Sequence, residues 1–228
     1  MAEYLVFSLV APMGAFGDLA GHEQRGSTGW PGRSAILGLI GAALGVRRDD
    51  AAGQRDLNNW RMAVSALNQG PVVNDFHTVQ TVPSARIKHP ATRAEALNAL
   101  TSADNGLITR RSYRMDCAFG LALWGGGAAA LEAALRTPHF VPYLGRKSCP
   151  LSAPMAPKRL DAEGPLQALE QITLPPFLSL DPAAPLFVAS DIPLGEGRSE
   201  IRQDIPLDRQ KWHFAAREVH LHQPEDQT

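Results

Sequence analysis

Apolar and polar positions alternate along this chain in a way that predicts both strands and helices. Residues 4–10 are apolar on both faces, which is typical of a central strand that is covered on both sides. Residues 34–44 carry apolar side chains three and four positions apart, the spacing of an amphipathic helix. Residues 62–66 alternate apolar with polar side chains, and a turn at residues 68–71 joins them to a hairpin partner over residues 72–79.

The middle of the chain repeats this succession after a polar interruption. Residues 80–105 are polar and contain Pro83 and Pro90, which predicts an irregular insertion with one short helix inside it. The elements predicted next are an exposed basic strand, a buried strand, a helix and a last strand, over residues 108–113, 117–124, 128–136 and 140–144. The complete order is that of an α+β, ferredoxin-like (RRM-like) domain with a projecting insertion.

The composition changes after Cys149 and Pro150. Closely spaced prolines then divide the chain into short segments, such as the apolar residues 186–189. We therefore expect residues 1–150 to form the ferredoxin-like domain, and residues 151–228 to form a smaller β-rich C-terminal region that docks on it.

The bulk composition is that of a globular protein with a sizeable core. A chain of 228 residues buries roughly 70% of its unfolded surface. Cys117 and Cys149 lack neighbours at metal-ligand spacing, which favours small buried side chains in a reducing compartment. The first residues lack a signal-peptide pattern, and no stretch reaches the ~18 apolar residues of a membrane span. We expect a cytoplasmic protein without a membrane partner or a metal site.

Charge is distributed unevenly, although the formal net charge is only −1. Residues 86–114 hold six basic and two acidic side chains, and residues 133–160 hold five basic side chains and no acidic one. Residues 161–228 hold five basic and twelve acidic side chains. Two basic segments in a nearly neutral chain favour a polyanionic partner. Arginine supplies 18 of the 22 cations and suits bidentate phosphate contacts.

Residues 29–45 form a glycine-rich loop that leads into the first predicted helix, with Arg33 and Ser34 at the entry. A helix N-terminus exposes unpaired N–H groups and partial positive charge, so this arrangement suits a phosphate. The alternative is an ordinary capped helix with a surface arginine. The segment lacks the P-loop motif, because the lysine is missing and Gly26 stands one residue too far from Gly32.

Four blocks of sequence resemble one known family. They are residues 4–17, beginning Tyr-Leu-Val-Phe; residues 31–50, from Pro-Gly-Arg-Ser to Arg-Arg-Asp-Asp; residues 76–79, Phe-His-Thr-Val; and residues 142–151, Pro-Tyr-Leu-Gly-Arg-Lys-Ser-Cys-Pro-Leu. They resemble, in order, blocks of the CasD family of the type I-E CRISPR Cascade complex, a part of the RAMP superfamily. The insertion and the last third of the chain match that family poorly.

The resemblance implies a RAMP domain of ferredoxin-like fold, with a projecting thumb insertion at about residues 80–112. It also implies a non-catalytic RNA-binding subunit that grips the 5′ handle of the CRISPR RNA and caps the backbone filament in antiviral defence. The implied partners are the CRISPR RNA, the repeated backbone subunit, the large subunit and target DNA near the complex. No cofactor is implied.

Candidate RNA contacts combine cations for phosphates with aromatic faces for unstacked bases. In the matched blocks, Tyr143 stands beside Arg146 and Lys147 in a glycine-containing loop. His77 and Thr78 stand where the chain enters the insertion. The residues expected to bind RNA are Met13, Trp30, Arg33, Ser34, His77, Thr78, Arg110, Arg111, Arg114, Tyr143, Gly145, Arg146, Lys147 and Ser148.

These residues also have plainer interpretations, and other functions stay open. Tyr143 and Met13 can serve packing alone, His77 can be structural, and the arginines of residues 110–114 can form a solvated strand face. A metal-independent endoribonuclease that processes CRISPR repeat RNA needs a base, an acid and a cation, for which His77, Tyr143 and Lys147 are available. A nucleotide-binding enzyme would have to bind its ligand at the loop that leads into the first helix. That segment lacks both the P-loop motif and the dinucleotide-binding motif.

Overall fold

The computed structural model describes residues 1–17, 23–80, 82, 85–101, 104 and 106–224, and these contain nine strands and five helices. In chain order they are β1 (Ala2–Gly14), β2 (Gln24–Arg25), α1 (Arg33–Leu44), α2 (Ala51–Leu57), β3 (Arg61–Asn68), β4 (Val72–Val79), α3 (Arg93–Asn98), β5 (Leu107–Trp124), α4 (Ala128–Arg136), β6 (Lys158–Ala162), α5 (Pro165–Leu169), β7 (Phe187–Ser190), β8 (Arg198–Asp208) and β9 (His213–His222). Within the described residues, no helix is both long enough and apolar enough to span a membrane.

The strands form one large sheet in the order β6-β1-β5-β3-β7-β9-β8, with β2 and β4 paired to β5 outside this path. β1 pairs antiparallel with β5 on one side and with β6 on the other, and β5 pairs antiparallel with β3. The central strand predicted at residues 4–10 is confirmed, and the structure extends it to Gly14. The fold is thus a mixed one of helices around a mainly antiparallel sheet.

Side chains of β1 alternate between two cores on opposite faces of the sheet, as successive residues of a strand must. Leu5, Phe7 and Leu9 belong to the first core, to which α1 and α4 contribute apolar side chains. Tyr4 and Val6 belong to a second, smaller core, to which α5 contributes. Because both faces are covered, the side chains from Tyr4 to Ala11 are apolar except for Ser8, whose buried hydroxyl donates to the carbonyl of Thr173 at 2.9 Å.

A single strand, β5, runs from an exposed ribbon into the core. The exposed strand predicted at residues 108–113 and the buried strand predicted at residues 117–124 are both present, but the prediction that they are separate is wrong, because one strand continues through residues 114–116. Asp116, with a φ of 46°, stands where β5 exchanges one partner for another. Beyond it β5 lies between β1 and β3, and before it β5 pairs with β4. We call residues 72–79 together with residues 107–114 the β4–β5 ribbon.

Residues 140–144 do not form the predicted last strand of the first half. The N–H of Leu144 donates to the carbonyl of Cys149 at 2.9 Å, so the segment folds back on itself. The physical reason is Gly145, whose φ of 83° reverses the chain where an extended strand would have to continue. β6 pairs with β1 in the position that this strand was expected to take.

The residues after 150 add strands at both sides of the sheet. β6 forms one edge, β7 pairs with β3, and the β8–β9 hairpin completes the other edge. These four strands agree with the prediction that this part of the chain is rich in β structure. The domain boundary at residue 150 stays a prediction.

Four buried charges join α1 to the last three strands. The Arg33 guanidinium donates to Asp191 at 2.7 Å, and that of Arg217 donates to Asp191 at 2.7 Å and to Asp204 at 2.6 Å. Asp204 also accepts the backbone N–H of Arg33, and Asp191 that of Met62. Each of the four side chains is at most 14% exposed. Two carboxylates balance two guanidinium groups, so burial leaves no net charge in this network.

Replacing Arg33 by methionine should destabilise the fold strongly, because Asp191 would lose one of its two cations. The carbonyls of Asn58 and Trp60, which accept from Arg33 at 2.8 and 2.7 Å, would also lose their donor. We expect the free energy of unfolding, measured by urea denaturation, to fall by about 3–5 kcal/mol. Arg136→Met, which removes an exposed ion pair, is the control and should cost less than about 1 kcal/mol. Equal losses in the two variants would contradict the prediction.

The two free cysteines are buried, as their isolation in the sequence predicts. Burial, with a smaller contribution from Cys149, raises the pKa of the Cys117 thiol to about 12. Burial also raises the pKa of Cys149. We expect both thiols of the native chain to resist iodoacetamide at pH 7.5 and to react after unfolding in urea, as followed by mass spectrometry. Rapid alkylation of either cysteine in the native chain would be inconsistent with this packing.

Candidate nucleic-acid interface

A cleft of about 1730 Å³ opens beside α1. Its walls are α1 from Ser34 to Ala42, the loop of residues 140–146, the middle of β8 and the turn between β8 and β9. Four of the predicted RNA contacts line it, namely Ser34, Tyr143, Gly145 and Arg146. The cleft therefore brings together residues that are far apart in the sequence.

The N-terminus of α1 is not open to a phosphate, so the anion site predicted there is wrong. Gly32 occupies the N-cap position and offers no capping side chain. The carboxylate of Asp204 instead accepts the backbone N–H of Arg33 at 2.7 Å and supplies the negative charge that a helix N-terminus favours. The carbonyl of Ser34 accepts a hydrogen bond from Arg209 at 2.9 Å, which fixes that arginine against the cleft wall.

Arg33 and Trp30 are buried inside the protein and Met13 is partly buried, while their assignment as RNA contacts stays a prediction. Arg33 is only 7% exposed, and its guanidinium is engaged by protein oxygens in the buried network. Trp30 is 6% exposed, and Arg202 lies over its ring, 4.4 Å from the centroid. Met13 lies opposite Met115 and packs, partly buried, against the first core. In this conformation the Arg33 guanidinium is engaged by oxygen atoms of the protein, and one face of the Trp30 ring is covered by Arg202.

The loop of residues 143–150 is held rigidly against the residues that follow β1. The N–H of Ala15 donates to the carbonyl of Leu144 at 3.1 Å, and the N–H of Cys149 donates to the carbonyl of Arg146 at 2.9 Å. Gly145 adopts a φ of 83°, and a Cβ at this position would overlap the carbonyl oxygen of Ala15. The close approach therefore requires glycine, and it presents Arg146 in one orientation.

Arg146 connects this loop to the inner end of the β4–β5 ribbon. Its guanidinium lies over the ring of Tyr113, 4.7 Å from the centroid. Burial alone raises the pKa of the Tyr113 phenol, but the adjoining Arg146 and Ser148 outweigh it, so the pKa lies below its ordinary value. Sequence reasoning missed Tyr113, although it stands between two predicted arginines, because its contact is with a residue 33 positions later.

Several arginines near the cleft and the ribbon carry buried nitrogens without a hydrogen-bond acceptor among the described residues. These atoms are Nε of Arg111, Nε of Arg114, Nη1 of Arg146 and Nε of Arg209. Arg25 in β2 pairs with Arg111 in β5, which places two like charges side by side. Buried donors require partners, and neighbouring like charges repel each other. An anionic ligand beside Arg25 and Arg111 would reduce the repulsion between them.

The remaining predicted contacts lie on exposed positions outside the cleft wall. His77 and Thr78 are on β4, and Nδ1 of His77 lies 3.1 Å from the carboxylate of Asp75. Arg110 lies opposite Phe76 across the ribbon. Lys147 and Ser148 are exposed on the loop that carries Arg146. The predicted set thus divides between the cleft and the β4–β5 ribbon.

The cleft also contains residues that the sequence did not single out. They are Arg25, Arg47, Arg48, Arg209 and Trp212. Arg47 and Arg48 stand near the end of a matched block, and two adjacent positive charges are a sequence signal that could have identified them as candidate contacts. Trp212 lies in the acidic C-terminal part of the chain, where no neighbouring motif draws attention to it.

Comparison with known proteins identifies the family. The model described as CRISPR-associated protein (Cas_Cas5) matches residues 4–220. The "CRISPR system Cascade subunit CasD" of Escherichia coli (strain K12) is 31% identical over 227 residues, which cover 97% of this chain and 96% of the relative.

Solved structures share the fold. A chain of a "CRISPR RNA-guided surveillance complex" is 24% identical with a TM-score of 0.69, over 96% of this chain and 89% of that one. A "Crystal structure of Cas protein" is 28% identical with a TM-score of 0.62, over 96% and 95% of the two chains. Because the family model spans nearly the whole sequence, and the CasD relative matches it from end to end, the resemblance seen in the sequence is confirmed: this chain belongs to the CRISPR-associated Cas5 family.

Proposed function

We propose that this chain is a non-catalytic RNA-binding subunit of a Cascade complex, which holds the 5′ handle of the CRISPR RNA and caps the backbone filament in antiviral defence. One observation carries the proposal: a single cleft of about 1730 Å³ is lined by five arginines, namely Arg25, Arg47, Arg48, Arg146 and Arg209. The phosphates of a single-stranded RNA would balance these positive charges. The similarity to a Cascade subunit named CasD supports the same role.

Strand order supports a RAMP domain of ferredoxin-like fold. In the order β6-β1-β5-β3, each strand is antiparallel to its neighbour. In the chain, α1 lies between β1 and β3, and α4 lies between β5 and β6. This is the arrangement of a split βαβ fold. The β4–β5 ribbon is the thumb of this proposal, since β4 is exposed along most of its length and the ribbon leads to the insertion. His77, Thr78 and Arg110 would contact RNA from the thumb.

The loop of residues 143–150 would grip the handle. The Arg146 guanidinium lies over the ring of Tyr113 at the cleft wall, and we expect it to bind a phosphate from there. Tyr143 lines the same cleft and would stack on a base. Lys147 and Ser148 are exposed next to it and would contact the backbone of the RNA at the rim.

The partners of the proposed subunit are the crRNA, the backbone subunit and the large subunit, with target DNA near the complex. The acidic side chains after position 160 that lie outside the cleft would repel RNA, and we assign the surface that they form to protein neighbours. The complex would act in the cytoplasm.

Purification of the tagged full chain from its native cells, with sequencing of the bound RNA, tests this function. We expect short RNAs that share one 5′ end, together with other Cascade proteins. Absence of RNA and of partners would overturn the proposal.

Incubation with repeat RNA separates the proposal from the alternative, a metal-independent endoribonuclease. His77 lies on β4, roughly 13 Å along the strand from Val73, which pairs with the Tyr113 that Arg146 contacts. Tyr143 and Lys147 lie on the loop that carries Arg146, and this separation argues against one active site built from His77, Tyr143 and Lys147. We therefore expect intact RNA. Cleavage that His77→Ala abolishes would establish the enzyme instead.

Reversing the charge of Arg146 should weaken RNA binding, since its phosphate contact would become repulsive. For Arg146→Glu we expect an affinity for the co-purified RNA lower by on the order of tenfold at moderate salt, with a smaller dependence on salt concentration. Filter binding at several salt concentrations measures both. Arg61→Glu makes the same charge change at an exposed position outside the cleft and should leave the affinity close to wild type. Equal effects of the two variants would show that only net charge matters.

Gly145→Ala should disorganise the loop that presents Arg146, because the added Cβ overlaps Ala15 and the backbone conformation disfavours alanine. We expect a loss of about 1–3 kcal/mol in the free energy of unfolding, and weaker RNA binding. Gly127→Ala is the matched control, since nothing lies within 4 Å of its added Cβ. Wild-type RNA affinity in Gly145→Ala would argue against a role for this loop.

A further inference from the structure

An exposed tryptophan stands at the end of the cleft that lies beside the β8–β9 turn. Trp212 is 61% exposed and lines the cleft. The Arg48 guanidinium lies over its ring, 5.1 Å from the centroid. The carboxylate of Asp208 accepts the N–H groups of Gln210 and Lys211 at 2.9 and 3.1 Å, which orders the turn that presents the ring. A large ring is thus held in solvent by a defined turn.

Positive charge around this ring is not neutralised by the protein. Arg47, Arg48 and Arg209 all line the cleft, and within the described parts of the chain none of them forms an ion pair. Arg209 donates to the carbonyl of Ser34, and its buried Nε has no acceptor in the described residues. Burial and then repulsion from Arg48 lower the pKa of Arg209. The cluster therefore lacks an anion.

We propose that Trp212, Arg48 and Arg209 form a nucleotide-binding subsite, in which a base of the RNA stacks on the Trp212 ring and the adjoining phosphate binds the two arginines. The inference rests on the proposed function, because it extends the path of the bound RNA from Arg146 along the cleft. An aromatic face beside unpaired cations is the combination that binds single-stranded nucleic acid.

A protein neighbour is the competing occupant, since Ile201 on β8 is also exposed at the cleft. The cores of protein interfaces are depleted in charged residues, whereas Arg48 lies over this ring and Arg47 and Arg209 line the same cleft, without an ion pair among the described residues. Burying them against a protein would require three matching acids, but a nucleic acid supplies its charges at every residue. The charge pattern thus favours RNA.

The test compares Trp212→Ala and Trp212→Phe with the control Phe177→Ala, which removes an aromatic ring that is 62% exposed outside the cleft. Each tagged full chain is purified with its complex. Its affinity for the RNA recovered with wild type is then measured, and that RNA, carrying 4-thiouridine, is photocrosslinked. We expect Trp212→Ala to lose affinity by on the order of tenfold, Trp212→Phe to retain most of it, and Phe177→Ala to match wild type. Crosslinks should map to the segment that contains Trp212.

Three results would overturn the subsite, and they identify which idea has failed. Wild-type affinity in Trp212→Ala, with Arg146→Glu still impaired, would remove the subsite and leave the proposed function intact. Loss of partner subunits with unchanged RNA affinity would assign Trp212 to a protein contact. Absence of RNA from the wild-type complex would remove both the subsite and the function on which it rests.

Discussion

The fold depends on a buried network of two arginines and two aspartates, because it joins the first helix to strands that the chain adds almost 160 residues later. Arg33 in α1 and Arg217 in β9 share Asp191, which follows β7, and Arg217 also holds Asp204 in β8. Since Asp204 also accepts the backbone N–H of Arg33, the first residue of α1, one carboxylate both caps the helix and lines the cleft. The geometry of the cleft is thus inseparable from the ion pairs behind it.

The sequence reveals most where burial leaves a local pattern. The apolar run of β1, the spacing within α1 and the isolation of Cys117 and Cys149 are direct consequences of packing, and each was predictable from neighbouring residues alone. Residues 140–144 show the limit, since they are as apolar as a strand. Their path depends on Gly145 and on its contact with Ala15, which lies 130 positions earlier in the chain.

The sequence predicts the class of ligand, a polyanion, better than it predicts which side chains form the binding surface. Arginine in a glycine-rich helix entry has the same sequence signature whether it faces solvent or a buried carboxylate, and only the distant Asp191 makes Arg33 structural. Tyr113 and Trp212 become candidate binding residues only in the folded structure, because an arginine that is distant in the sequence lies over the ring of each. Residue type and charge point to a polyanion, and the three-dimensional contacts decide which side chains can reach it.

The unbroken course of β5 has a mechanical consequence. The inner half of β5 is hydrogen-bonded to β1 on one side and to β3 on the other, so the outer half projects from a strand that is held in the centre of the sheet. A force on the outer end of the β4–β5 ribbon would be resisted by the hydrogen bonds that join β5 to β1 and β3. A slip of one residue in that pairing would turn every side chain of the ribbon to its opposite face. The direction in which the β4–β5 ribbon projects is therefore set by the pairing of β5 at the centre of the sheet.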